Sequence, residues 1–293
     1  MNTQRWLASL GLILMFLLAA CGGAVAPVPT TAPAPTAAPT TATLPAPTAT
    51  TANKTLKIVA STSWVAAFAK AAGATDISVI APSNLQHPPD YDPKPSDLVA
   101  INSADYVLMA GFEGFAKRLQ EAVGNNSAKL VAVSTDNSPE VIHKEVTRLG
   151  ELFGTAEAAK AYLKDFDTQY AQLSGEVKNA IGSKKPTVVA QLFVTSWATF
   201  AGLDVAGTYG PMPLSPDDLK KLVDLKPTIV FENVHMGGGQ PVVEATNAQK
   251  IDLVNFPADD LDLLKVFKIN AQTIKQILGG AITRNPAAPT NAG

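Results

Sequence analysis

Three histidines and several carboxylates are the side chains of this sequence best suited to metal chemistry. The densest group is the loop His87-Pro-Pro-Asp-Tyr-Asp-Pro-Lys-Pro-Ser-Asp97, with one histidine, three carboxylates and four prolines. Each proline fixes its own φ and biases the preceding residue toward extended geometry. The side chains of His87, Asp90 and Asp92 therefore project from a stiff backbone, and the loop is typical of a site for Zn²⁺ or Mn²⁺.

A second loop offers another imidazole. His235 follows an apolar strand pattern in the segment Glu232-Asn-Val-His-Met-Gly-Gly-Gly239, whose glycines would let the backbone approach an ion closely. Glu232 is interpreted as a ligand or as a carboxylate that orients an imidazole, with a plain strand-end charge as the alternative. Surface or hydrogen-bonded roles also stay open for His87 and His235. His143, near a predicted helix start, is interpreted as a partly exposed helical residue.

Catalytic patterns are weak in this sequence. It contains no Gly-x-Ser-x-Gly elbow, no His-Glu-x-x-His pair and no glycine-rich phosphate loop of a common spacing. Asp90 and Asp92 resemble a carboxylate pair, but no partner acid or base is identifiable elsewhere. The formal net charge is only −2, which offers no basic stripe for nucleic acid. We therefore expect neither an enzyme nor a nucleic-acid-binding protein.

The first 53 residues predict export and anchoring. Residues 1–20 contain an apolar run of about 15 residues, too short for a comfortable membrane span and typical of a signal peptide. This run ends in Leu18-Ala-Ala-Cys21, a lipoprotein signal, so Cys21, the only cysteine, is predicted to carry lipid. Residues 21–53 are rich in Ala, Pro and Thr and predict an extended tether. The protein is therefore expected outside the cytoplasm, in the periplasm or on the outer face of the cytoplasmic membrane.

Apolar runs alternate with helical patterns in the remaining chain, which predicts parallel βαβ units and the α/β class. Strands are predicted at 55–61, 77–80, 106–109, 129–133, 187–192, 204–206, 228–232 and 251–254. Helices are predicted at 64–72, 95–102, 114–123, 215–225, 242–247 and 261–278, with two helices, the second long, between about 139 and 181. The predicted organisation is an N-terminal lobe at 54–138, linking helices at 139–183, a C-terminal lobe at 184–279 and a disordered tail at 280–293.

The loops that carry His87 and His235 both follow predicted strands, one in each lobe. Since ligands of parallel sheets bind beyond the carboxyl ends of the strands, the two imidazoles are expected to meet across one cleft. Trp64 and Trp197 either line this cleft or pack within their lobes.

The order of several motifs resembles one known family. These motifs are the lipoprotein signal and tether, Leu56–Ser63, His87–Asp97, Ala104-Asp-Tyr106 with Gly111-Phe-Glu113, and the long central helix. Together they are similar to the metal-binding receptors of ABC importers for zinc and manganese, called cluster A-I or the zinc-uptake family. The segment Tyr91–Asp97 is the most specific part, because it resembles the family pattern Y/F-E-P-x-P-S-D. The resemblance covers about residues 55–279 and implies two α/β lobes joined by one long helix.

The metal ligands of the family are matched less well in this sequence than the order of its motifs, which suggests a divergent branch. Its first metal histidine would fall at Pro89, two residues after His87, and its second has no counterpart near Asp136-Asn-Ser-Pro139. The third would fall near Gln191, and the final aspartate aligns with Asn255. A rebuilt site is therefore expected, with nitrogens from His87 and His235 and oxygens from Glu232, Asp92, Asn255 or Gln191.

The resemblance implies a lipid-anchored, monomeric receptor that captures Zn²⁺ or Mn²⁺ as cargo and delivers it to an ABC permease and its ATPase. One alternative keeps the fold and places a metal chelate or a small organic solute in the cleft, in contact with Trp197, Gln191 and Asn233. Another is a surface adhesin with a vestigial cleft.

Overall fold

Each lobe is built on a parallel four-stranded sheet, and the two sheets share one topology, β2-β1-β3-β4 and β6-β5-β7-β8. The central strands β5 and β7 of the second sheet are buried along their whole length, and the central strand β1 of the first is buried after Lys57. The strands are β1 Lys57–Ala60, β2 Asp76–Val79, β3 Tyr106–Met109, β4 Leu130–Ala132, β5 Val188–Gln191, β6 Val205–Tyr209, β7 Ile229–Asn233 and β8 Gln249–Leu253.

Nine helices cover and connect these sheets within the described residues. They are α1 Ser63–Ala71, α2 Pro95–Ser103, α3 Ala116–Val123, α4 Pro139–Phe153, α5 Ala156–Ile181, α6 Ser196–Ala201, α7 Pro216–Asp224, α8 Gln240–Thr246 and α9 Leu263–Leu278. The two-lobed α/β architecture predicted from the sequence is confirmed. The short helix α6 was not predicted, because its apolar segment carries no helix-start signal that separates it from the preceding strand.

The linking helices α4 and α5 owe their ends to specific residues. Pro139 occupies the first turn of α4, where its missing N–H is no loss, and Gly154 ends α4 with a left-handed φ of 72°. The buried face of α5 then packs on α9, where Phe166 meets Phe267 edge-on with ring centroids 5.3 Å apart. A single hydrophobic core therefore runs from the first lobe through the linking helices into the second.

The computed structural model describes residues 55–126 and 129–280. The described residues belong to one compact unit. The predicted signal peptide, Cys21, the tether and residues 281–293 of the predicted tail lie outside the described residues. Within the described part, no helix is long and apolar enough to cross a bilayer.

Candidate metal-binding cleft

A cavity of about 540 Å³ lies between the two lobes, at the carboxyl ends of the strands of both sheets. Its walls in the N-terminal lobe include Trp64, His87, Asp90, Phe112 and Asp136. Its walls in the C-terminal lobe include Phe193, Asn233, His235, Asn255 and Phe256. The structure therefore brings His87 and His235 to one cleft, as the topology predicted.

His235 is held in the cavity wall by three contacts. Its backbone N–H donates to Oδ1 of Asn233 at 3.0 Å, its ring stacks on Phe256, and its Nδ1 lies 3.3 Å from the backbone oxygen of Gln86. A carbonyl oxygen only accepts, so Nδ1 carries the proton and Nε2 presents a lone pair. Nε2 is buried and has no hydrogen-bond partner among the described residues.

The surroundings of His235 keep its imidazole neutral. Burial lowers its pKa from the ordinary value of 6.5 to about 4, the hydrogen bond to Gln86 opposes this shift, and the nearby charge of His87 adds to it. Only a neutral imidazole binds a metal ion, because the lone pair of a protonated ring is occupied. The ring is therefore competent as a ligand throughout the neutral pH range.

His87 faces the same cavity from the other lobe. It directly precedes the 3₁₀ turn Pro88–Asp90, and its Nδ1 lies 2.8 Å from a carboxylate oxygen of Asp90. In the neutral form of the ring, Nδ1 donates its proton to this carboxylate and Nε2 carries the lone pair. A carboxylate behind an imidazole is the common arrangement for histidines that bind metal.

Glu232 has a structural role that differs from the predicted ligand role. Its Oε1 accepts from the hydroxyl of Tyr209 at 3.0 Å and from the N–H of Asn233 at 3.1 Å, and its Oε2 accepts from the N–H of Gly239 at 2.7 Å. Burial raises the pKa of Tyr209, so the tyrosine keeps the proton that it donates. A Cβ at position 239 would collide with the Tyr209 hydroxyl. Glu232 therefore shapes the loop that carries His235.

The N-terminal lobe contains a matching carboxylate. The buried Glu113 accepts from the N–H groups of Ala110 at 2.8 Å and Gly111 at 2.6 Å, and from the hydroxyl of Ser61. It thereby fixes the loop after β3, which carries Phe112 into the cavity wall.

Three other predicted site residues lie away from the cavity wall. Asp92 is exposed and pairs with Arg118. Trp197 is fully buried in the core, with its ring centroid 4.7 Å from that of Phe267. Gln191 is also fully buried, and its Oε1 accepts from the N–H of Phe193 at 2.7 Å. Asp92 therefore forms an ion pair instead of acting as a ligand, and Gln191 caps a turn instead of acting as a ligand. Trp197 packs in the core instead of lining the cleft.

Asn255 and Asp90 do line the cavity, as does Asn233. Asn255 is buried, and its Nδ2 donates to the backbone oxygen of Phe193 at 3.0 Å. It also accepts from Nδ2 of Asn137 at 3.1 Å, a contact that links the start of the linking helices to the C-terminal lobe. Asn255 is therefore already engaged by neighbours on both sides.

Sequence reasoning missed Asp136, Phe112, Phe193 and Phe256 as cavity residues. Asp136 and Phe112 come shortly after β4 and β3, and Phe193 and Phe256 come shortly after β5 and β8. Their positions just beyond strand ends were a usable signal, but the apolar character of the three phenylalanines matched that of core residues.

The donors in this cleft do not form a complete ion cage. No group of three or more His, Cys, Asp or Glu side chains close enough to hold a metal occurs in the described part of the chain. Two imidazoles whose Nδ1 atoms are engaged by oxygens are thus the strongest metal-binding feature of the cleft.

The paired parallel sheets, the helical connection and the interlobe cleft define a two-lobed α/β fold that solved solute-binding proteins share. Solved structures share this fold at low sequence identity. A Mn²⁺ complex of the solute-binding protein FpvC from Pseudomonas aeruginosa matches with 16% identity and a TM-score of 0.60, over 77% of this chain and 97% of that one. The laminin-binding protein Lmb of Streptococcus agalactiae, described as having adhesin and metal-transporting activity, matches with 16% identity and a TM-score of 0.59, over 77% and 100%.

More particularly, the predicted resemblance to the zinc-uptake family is confirmed over part of the chain. The profile described as "Zinc-uptake complex component A periplasmic" matches residues 58–151, which comprise most of the N-terminal lobe and α4. A crystal structure of ZnuA matches with 21% identity and a TM-score of 0.55, over 76% of this chain and 99% of that one. Curated protein sequences give no match. The matching profile describes a periplasmic component of an uptake complex.

Proposed function

We propose that this protein is an extracytoplasmic receptor that captures a divalent transition metal, Zn²⁺ or Mn²⁺, between its lobes and delivers it to an ABC importer. The observation that carries the proposal is the meeting of His87 and His235, from opposite lobes, at one cavity. Both imidazoles have Nδ1 engaged by an oxygen, which leaves both Nε2 atoms to bind an ion. The matching zinc-uptake profile and the metal complexes of proteins with this fold support the same conclusion.

The remaining coordination positions are open to oxygen donors. Asp90 and Asp136 both line the cavity, but among the described residues neither completes a group of three donors with the two imidazoles, so water or the cargo itself supplies the remaining oxygens. Capture needs no covalent step. Because the two imidazoles belong to different lobes, separating the lobes would divide the ligand set and release the ion.

The lipoprotein signal and the tether support anchoring of the receptor to the membrane and delivery of its cargo to the importer. Cys21 carries the lipid, the Pro- and Thr-rich tether lets the receptor search for the permease and its ATPase, and the receptor acts as a monomer. In cells, Cys21→Ser is expected to move the protein from the membrane fraction to the soluble fraction. Continued membrane retention of this variant would contradict a lipid anchor.

Calorimetry with the protein from Asn53 onward tests the metal site. We expect close to one equivalent of Zn²⁺ or Mn²⁺, and at least tenfold weaker binding for His87→Ala and for His235→Ala. His143→Ala is the matched control, because His143 pairs with Asp167 on the linking helices. Unchanged binding in both cleft variants would overturn the proposal.

A further inference from the structure

The cavity between the lobes is much larger than a bare ion requires. Zinc binds its protein ligands at about 2.0–2.2 Å, so an ion and its donor atoms fill only a small part of a 540 Å³ space. Cavities of about 300–1,000 Å³ are typical of sites for small organic molecules.

The walls of the cavity are mostly apolar, and several of these side chains are open to solvent. Phe112 of the N-terminal lobe is 61% exposed, and Leu192 and Phe193 of the C-terminal lobe are 49% and 47% exposed. All three line the cavity. Exposed apolar groups that converge on one cavity from two lobes mark a surface that an apolar ligand would cover.

An aromatic wall with unused polar atoms adjoins this surface. The Trp64 ring lies 6.0 Å from Phe256, which in turn stacks on His235. Nε1 of Trp64 is buried without a hydrogen-bond partner among the described residues, as is Nε2 of His235. An indole N–H only donates, and leaving it unpaired in a buried position is unfavourable, so a ligand that brings an oxygen acceptor would relieve this cost.

The protein donors are too few to complete the coordination of a metal. A structural zinc site takes four ligands, whereas the described residues gather no group of three donors. The missing donors must come from water or from the ligand itself.

We propose that the cargo is a metal chelate: a divalent transition metal held by a small planar aromatic chelator with an anionic oxygen donor, bound through His87 and His235. This inference rests on the proposed function, since it assumes that the two imidazoles hold the metal. The aromatic body of the chelator covers Phe112 and Phe193, and its oxygen accepts from Trp64. No covalent bond is formed or broken beyond exchange of metal ligands.

The test compares Zn²⁺ alone, 8-hydroxyquinoline alone and their one-to-one complex, titrated into the protein from Asn53 onward and followed by tryptophan and chelate fluorescence. We expect the complex to bind at least tenfold more tightly than either component. His87→Ala and His235→Ala should weaken binding of the complex at least tenfold.

Two variants at exposed apolar residues distinguish binding of the chelate from binding of the bare ion. Phe112→Ser should weaken binding of the complex at least fivefold and leave binding of Zn²⁺ alone within twofold. Met212→Ser, at an apolar residue that is 75% exposed and outside the cavity wall, should change neither.

The outcomes distinguish the two proposals. If Zn²⁺ alone binds as tightly as the complex, and the chelator strips it from the protein, the chelate inference is wrong and the receptor function stands. If 8-hydroxyquinoline alone binds as tightly as its complex in both histidine variants, the site is for an organic solute and the chelate inference is wrong. If neither Zn²⁺ nor the complex binds, both proposals fail together.

Discussion

The imidazole of His235 stacks on the phenyl ring of Phe256, with ring centroids 3.7 Å apart and an angle of 19° between the ring planes. The phenyl ring thus covers one face of the imidazole in the C-terminal lobe, while Gln86 of the N-terminal lobe lies 3.3 Å from its Nδ1. These contacts bury the ring and leave Nε2 without a partner among the described residues. Burial of the ring therefore keeps His235 unprotonated, although the hydrogen bond to Gln86 opposes this effect.

Stability of the metal-free protein should fall as the pH drops below 6.5. The pKa of His235 is about 4 in the folded protein and 6.5 ordinarily, so between these values the unfolded chain binds a proton that the folded chain does not. The contribution of the neutral His235 ring to the free energy of unfolding is fully present above pH 6.5, and about 2 kcal/mol of it is lost by pH 5.

Urea denaturation at pH 7 and pH 5 measures this loss. His235→Phe is the control, because it retains a ring next to Phe256 and has no group that titrates in this range. Between pH 7 and pH 5, the free energy of unfolding should fall by about 2 kcal/mol less in the variant than in the parent protein. Equal losses in the two proteins would show that His235 titrates normally.

Glu232→Gln separates a scaffold role from a ligand role. Replacing one carboxylate oxygen by an amide nitrogen leaves a donor facing Tyr209 and Asn233 or Gly239, so the free energy of unfolding should fall by about 1.5–3 kcal/mol. The stoichiometry of metal binding should persist. Chemical denaturation measures the free energy of unfolding, and calorimetry measures the stoichiometry. A loss of metal affinity with unchanged stability would favour the ligand interpretation of Glu232.

Trp197→Ala should be severely destabilising. The side chain is fully buried against Phe200 and Phe267, and loss of such an aromatic residue costs about 3–5 kcal/mol. Trp64→Phe is the comparison, because Trp64 lies at the cavity wall and Phe retains most of its apolar surface. A small effect of Trp197→Ala on the denaturation midpoint, combined with weaker ligand binding, would support a cleft role.

Asn255→Asp tests whether a carboxylate fits at the position where the resembled family has its aspartate. The Nδ2 of Asn255 donates to the Phe193 carbonyl, and an aspartate oxygen there would face another acceptor. We expect a loss of about 1–3 kcal/mol in the free energy of unfolding without metal. Thermal denaturation with and without Zn²⁺ measures it, and unchanged stability of the metal-free variant would contradict the assignment of this hydrogen bond.

The sequence predicted the fold more completely than the site. Val188–Gln191 and Ile229–Asn233 are apolar runs buried on both faces of a sheet, and such runs predict strands from local pattern alone. The helix α6 was missed because Ser196–Ala201 is shorter than two helical turns, too short a window for helical periodicity to emerge from the sequence. Trp197, which it carries, was therefore left undecided between cleft and core.

The sequence by itself determined two parallel α/β lobes, a long helical connection and the placement of His87 and His235 beyond strand ends. These depend on periodicity, proline and glycine positions and chain order, which are local properties. Only the tertiary structure decided which polar groups are engaged: Glu232 and Gln191 bind nearby backbone, whereas Nε2 of His235 and Nε1 of Trp64 have no partner in the described part of the chain. Hydrogen bonding and burial depend on neighbours brought together by folding, so residue type and spacing could not distinguish a ligand from a loop support.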